Sequence, residues 1–148
     1  RYIPEILSLS LALDNSRLDQ TLNTPAIATL ILLDAQIQWM NSNGGLAWAD
    51  ARTRTSSSLI YDWAEAHSHA TPFVADKRHR SQVVATIDFD ESVDASAVSK
   101  LLRANGIVDI DPYRKLGRNQ LRIGTFTSVD SADVEALLRA IDAAINAL

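Results

Sequence analysis

Leu7, Leu9, Leu11 and Leu13 alternate with Ser8, Ser10 and Ala12. That period of two predicts a strand, or extended chain with one buried face, and Asp14-Asn15-Ser16 predicts a turn after it. Thr24-Pro25 then has the form of a helix start, with threonine able to cap and proline suited to the first helical position. The run Ala26-Ile27-Ala28-Thr29-Leu30-Ile31-Leu32-Leu33 is apolar on every side, which predicts a helix buried within something larger than one layer. Asn43-Gly44-Gly45 ends it. A second, amphipathic helix is expected from Leu46 to Ala66, with Leu46, Ala49, Thr53, Ser56, Ile60 and Trp63 facing inward. The glycines would join the two helices as a hairpin.

Residues 67–80 break all periodicity with His67, His69, Pro72 and the cluster Lys77-Arg78-His79-Arg80, so they read as a linker and a domain boundary. Beyond it Val83, Ala85, Ile87 and Phe89 alternate on a strand. Asp94 can cap a helix that buries Val98, Leu101 and Leu102, with Gly106 at the position just past its end. Ile107 to Ile110 reads as a short strand and Leu121, Ile123 and Thr125 as another. Ser131 opens a last helix striped by Val134, Leu137, Leu138, Ile141, Ile145 and Leu148. The order β-α-β-β-α predicts an α+β fold, a small sheet with helices packed on one face.

Composition narrows the function classes. The 148 residues are 47% hydrophobic and 22% charged, within the range of ordinary globular proteins. A net charge of −4 argues against nucleic acid or an anionic membrane as partner. The absence of cysteine excludes disulfides, thiolate metal sites and cysteine nucleophiles. No apolar run reaches the ~18 residues of a membrane span, and no signal peptide is recognisable, so a cytoplasmic location is expected. The opening Arg1-Tyr2-Ile3-Pro4 fits either processing or a piece of a longer polypeptide.

Two segments suggest chemistry. Asn23-Thr24-Pro25, at a helix mouth, could offer amide and hydroxyl donors to a phosphate or carboxylate, or could simply cap the helix. Between Pro112 and Val129 there is no acidic residue, yet Arg114, Lys115, Arg118 and Arg122 fall within nine positions. Arg122 lies mid-strand and faces opposite to Leu121 and Ile123. Its planar fork suits a carboxylate or phosphate if that face lines a cleft; otherwise it is a solvated arginine. Lys77, Arg78 and Arg80 read as a solvated loop, and Asp88, Asp90 and Glu91 as solvated ends of a strand. His67, His69 and His79 lack metal-ligand spacing, so no metal site is expected.

These segments resemble a known family. Asn23-Thr24-Pro25 before an apolar helix, Arg103-Ala104-Asn105-Gly106-Ile107-Val108-Asp109, and the stretch from Pro112 to Arg122 are similar to phosphoserine aminotransferases, in particular the actinobacterial type, and the likeness covers the chain in order. The resemblance implies the C-terminal part of an α/β fold-type I enzyme that uses pyridoxal phosphate. Residues 1–70 would be the tail of the large domain and residues 71–148 the small α+β domain. It implies amino transfer between glutamate and 3-phosphohydroxypyruvate, giving 2-oxoglutarate and phosphoserine in serine biosynthesis, at a site shared across a homodimer. Asn23 and Thr24 would reach the cofactor phosphate, Arg122 the substrate carboxylate and Lys115 the substrate phosphate, where many members carry histidine. Leu22 stands where the family often has tyrosine. The lysine that carries the cofactor, the aspartate at its ring nitrogen and the aromatic stacked on it would belong upstream; the chain's own Lys77, Lys100 and Lys115 match none of these. The fragment alone is then expected to be inactive, to release its cofactor, and to expose apolar surface around the helix after Pro25. Two other readings stay open: a stand-alone small-anion-binding or regulatory module without catalysis, and an aminotransferase of another amino acid.

Overall fold

The computed structural model describes residues 2–148. The chain divides into two compact units, Arg1–Asn43 and Gly44–Leu148.

In the first unit, a 3-10 turn at Glu5–Leu7 leads into helix α1, Leu9–Ser16. The expected strand over 6–13 is therefore a helix. Its alternating residues are leucines, strong helix formers, and the stretch from Leu7 to Leu13 holds no β-branched residue. Ser8 caps it, its hydroxyl accepting from the Leu11 amide at 3.3 Å. Asp14-Asn15-Ser16 completes the helix instead of turning. The turn comes three residues later at Asp19, whose φ of 56° is left-handed, a conformation that aspartate tolerates better than most residues.

Helix α2 spans Ile27–Ser42, not from Pro25. Ala26, at φ −76° and ψ 76°, makes an inverse γ-turn closed by the Ile27 amide on the Pro25 carbonyl at 2.9 Å. This turn holds Asn23-Thr24-Pro25 outside the helix, and no side chain caps its start. The helix was expected to be buried, yet none of its residues is. Ile31 and Leu32 are 63% and 72% exposed, the apolar surface anticipated for a helix whose neighbours lie elsewhere.

The second unit opens with Gly44 at φ 119° in the left-handed region. A Cβ there would stand 3.0 Å from the Trp48 Cβ, so glycine is required on two counts. Helix α3 spans Gly45–Ala66. Its expected row is met at Thr53, Ser56 and Ile60, which are buried, and half met at Ala49 and Trp63; Leu46 is exposed, so packing begins about one turn later.

Strand β1, Ala70–Pro72, lies inside the segment read as a linker. Histidines and a proline masked it, yet proline is admissible at a sheet edge, and β1 is an edge. It pairs antiparallel with β2, Val84–Phe89, with Ala70 opposite Phe89 and Pro72 opposite Ile87. A 3-10 turn at Lys77–His79 lies between them. Strand β3, Gln120–Gly124, pairs antiparallel with the other edge of β2, with Thr86 opposite Arg122 and Asp88 opposite Gln120. Helix α4, Ala95–Ala104, starts as expected at Asp94, whose Oδ1 accepts from the amides of Ser96 and Ala97 at 2.8 and 3.1 Å. It ends with Gly106 at φ 86°, where the Gly106 amide bonds Arg103 O and the Ile107 amide bonds Leu102 O. Residues 107–110 form no strand. Asp109 at φ 63° bends the chain away, leaving Ile110 O to accept a bond from the Arg122 amide at 3.0 Å.

Helix α5, Ser131–Ala147, buries Val134, Leu138, Ile141 and Ala144; Leu137 and Ile145 are half-buried and Leu148 is exposed. The helices pack on one face of the sheet, with Ala85, Ile87, Phe89, Leu121 and Ile123 beneath Ile60, Val98, Val134 and Ile141. That is the α+β arrangement expected. No described helix is long and apolar enough to cross a membrane.

The exposed leucines and isoleucines of α2 make the isolated 148-residue chain prone to associate. Sedimentation velocity at micromolar concentration should show self-association that Ile31→Glu with Leu32→Glu reduces. A monomer across that range would contradict it.

Candidate functional site

The open face of the sheet follows from the buried one. Leu121 and Ile123 are fixed in the core, so Arg122 between them must point the other way. Its guanidinium carbon lies 5.9 Å from the centre of the Tyr113 ring. Arg122 and Arg114 line one cleft of about 520 Å³ together with Ser96, Asp109, Asp111 and Pro112. A larger hollow of about 600 Å³ nearby is lined by Ile107, Ile123, Phe126 and Leu137, and its charged groups are Asp109 and Asp133. Being apolar and acidic, it does not suit an anion.

The decisive feature of the polar cleft is how its charges are shared. Asp111 does not answer Arg122. Its Oδ1 accepts from Ser99 Oγ at 2.5 Å and its Oδ2 from Arg103 Nη2 at 2.7 Å. The Ser99 hydroxyl and then the Arg103 guanidinium hold the Asp111 carboxyl below the ordinary carboxylate range. Asp109 also turns to Arg103, at 3.6 Å. Asp88 is bound by Arg118 Nη2 at 2.6 Å and by the buried Gln120 amide at 2.5 Å.

Of the ten described arginines, seven hold a carboxylate: Arg17, Arg52, Arg54, Arg78, Arg80, Arg103 and Arg118. Three do not. Arg139 lies on α5, and the other two are Arg114 and Arg122, in the same cleft. A cleft with two uncompensated guanidinium groups is suited to an anion with two negative ends or one anion held by both.

The other residues singled out from sequence lie apart from this cleft. Lys115 is exposed on the turn after Tyr113, closed by the Leu116 amide on Tyr113 O at 2.9 Å, and does not line the cleft. Asn23 and Thr24 are exposed in the first unit, ahead of the Ala26 turn. The Asn23 backbone carbonyl accepts from Thr21 Oγ1 at 2.7 Å, and among the described residues no group bonds the Asn23 side-chain amide or the Thr24 hydroxyl. Thr24 does not cap the helix. Lys77 is paired with Glu65 at 2.8 Å, and Lys100 is exposed on α4.

Sequence reading missed Asp88, Asp111 and Ser99. Asp88 was read as solvated but is tied down on the sheet face. The alternation of β2 turns Asp88 away from Ala85, Ile87 and Phe89; its place beside Arg122 comes from the register of β2 with β3.

No family model matches the chain. Among curated relatives, the phosphoserine aminotransferase of Rhodococcus opacus (strain B4) is 60% identical over all 148 residues, which span 40% of that protein. That of Corynebacterium glutamicum (strain R) is 63% identical over 142 residues, 96% of this chain and 38% of the relative. The chain resembles the C-terminal portion of phosphoserine aminotransferases. It spans about two fifths of the length of these relatives. Solved structures agree on the fold: a phosphoserine aminotransferase from Bacillus circulans subsp. alkalophilus has a TM-score of 0.84 at 23% identity, covering 98% of this chain and 39% of that one. A PLP-bound phosphoserine aminotransferase from Trichomonas vaginalis has a TM-score of 0.79 at 16% identity, covering 95% and 39%.

Because its folded pKa is depressed, Asp111 adds stability above the unfolded carboxylate value of about 3.9, and that stability disappears as pH falls through the lower folded value. Urea midpoints measured from pH 6 down to pH 2.5 should fall further in the native chain than in Asp111→Asn. Parallel declines would remove the Ser99–Asp111–Arg103 cluster as a source of acid sensitivity.

Proposed function

We propose that this chain supplies the C-terminal binding half of a phosphoserine aminotransferase, which moves an amino group between glutamate and 3-phosphohydroxypyruvate. The observation that carries the reading is the pair of uncompensated arginines in the open-face cleft. In this reading Arg122 holds the substrate α-carboxylate through its two-pronged fork, and the Tyr113 ring beside it limits the directions in which that fork can turn. Lys115 stands on the adjacent turn as a point charge for the substrate phosphate.

Residues 1–70 are assigned to the large domain and 71–148 to the small one, with α3 packed on the sheet it precedes. The active enzyme is a cytoplasmic homodimer with its sites shared between subunits.

Pyridoxal phosphate fits the donor set in part. The Asn23 amide and Thr24 hydroxyl are exposed and uncommitted, the types of donor a phosphate takes. The cofactor, when bound, supplies the electron sink for amino transfer. The three lysines of the chain are ill suited to carry it. Lys77 is ion-paired, and Lys100 and Lys115 stand on open surface and not in an enclosed pocket. The cofactor-bearing lysine is therefore assigned to preceding polypeptide, and the isolated chain is inactive and keeps no cofactor.

Two measurements bear on this. In the full-length protein, Arg122→Gln should raise KM for the keto acid about tenfold or more, the scale of one charged hydrogen-bonding group lost from a carboxylate; an unchanged KM contradicts the assignment. The isolated chain, incubated with pyridoxal phosphate, reduced with borohydride and mapped by mass spectrometry, should show no stoichiometric adduct at any one lysine. A single fully modified lysine would overturn the missing-lysine reading.

A further inference from the structure

Three carboxylates lie close enough to the cleft to compete with a bound anion for its arginines, and the structure occupies each of them with another group. Asp111 is held by Ser99 and Arg103 from α4, and Asp109, though largely exposed, lies 3.6 Å from the same Arg103. The third, Asp88, is the most consequential. It sits on β2 opposite Gln120, two pairs along from Thr86 opposite Arg122, so Asp88 and Arg122 are diagonal neighbours on the open face. Such neighbours stand roughly 7–8 Å apart at the backbone, within reach of an arginine side chain. An unoccupied Asp88 would give Arg122 an internal partner.

Asp88 is not unoccupied. Arg118 donates Nη2 to Oδ2 at 2.6 Å and Nε to Oδ1 at 3.2 Å, while Gln120 donates to Oδ1 at 2.5 Å. Arg118 is in turn seated over the Phe73 ring at 5.1 Å, and Asp88 raises its already high pKa, so it stays charged throughout. Gln120 is 1% exposed and cannot swing away without breaking a buried contact.

Building on the substrate-binding role proposed for Arg122, we infer that Arg118 is a positioning residue that neutralises Asp88 and so keeps the Arg122 guanidinium free for the substrate carboxylate. It contacts no substrate itself. Its effect reaches the reaction through the charge and direction of Arg122, and falls on binding more than on turnover.

The test is a mutant cycle in the full-length holoenzyme, with KM and kcat for the keto acid measured in Arg118→Ala, Asp88→Asn, the double variant, and Arg122→Gln. Arg118→Ala should raise KM about two- to fivefold, the scale of one partly exposed ion pair, with little change in kcat. Asp88→Asn alone should leave KM at or below the native value. The double variant should return KM to the native value, because the competing charge is gone. A double variant as impaired as Arg118→Ala assigns Arg118 a merely structural role and overturns the inference. So does a native KM in Arg118→Ala while Arg122→Gln is impaired, which leaves the role of Arg122 standing. A native KM in Arg122→Gln removes both.

Discussion

Successive side chains of a strand point to opposite faces of the sheet, and in the second unit of this chain that constraint decides the chemistry. Ala85, Ile87 and Phe89 of β2 and Leu121 and Ile123 of β3 are committed to the helices beneath. The residues between them, Thr86, Asp88 and Arg122, have no choice but to share the opposite face. Sliding β3 by one position would put Arg122 in the core, where an unpaired guanidinium costs several kcal/mol. The apolar core therefore fixes the address of the charged group, and the small polar network around it fixes its availability.

That network works by elimination. Arginines outnumber what the neighbouring carboxylates can satisfy, and the pairing is selective. Arg103 takes Asp109 and Asp111, Arg118 takes Asp88, and Arg114 and Arg122 are left over in one cleft. An acidic chain with two spare guanidinium groups side by side has a local field opposite to its net charge, which is the condition for holding a small anion in water. Under the proposed function, such an anion is the substrate carboxylate.

Much of this was legible in the sequence, for reasons that can be named. Helices α4 and α5 were readable because Asp94 and Gly106 punctuate one and a clean apolar stripe marks the other. Strand β3 and the orientation of Arg122 followed from Leu121 and Ile123 alone. What misled were segments where a pattern has two solutions. Leucines at every second position from 7 to 13 satisfy a strand, but their helix propensity and the Ser8 cap turn them into α1. Thr24-Pro25 has the chemistry of a helix start, yet the γ-turn at Ala26 displaces that start by two residues. Strand β1 was hidden by Pro72, and the 107–110 strand is undone by one left-handed aspartate. The partners of the carboxylates could not be read at all, because pairing across strands depends on register, which one sequence does not state.

The central claim is that Arg122 and Arg114 are free where Arg103 and Arg118 are paired with carboxylates. It is tested most directly by NMR of the arginine side-chain Nε–H groups in the 148-residue chain, titrated with a small α-keto carboxylate. Shifts should concentrate at Arg122 and Arg114, with Arg103 and Arg118 nearly still. Equal movement of all four, or movement of Arg103 and Arg118 first, would contradict the account.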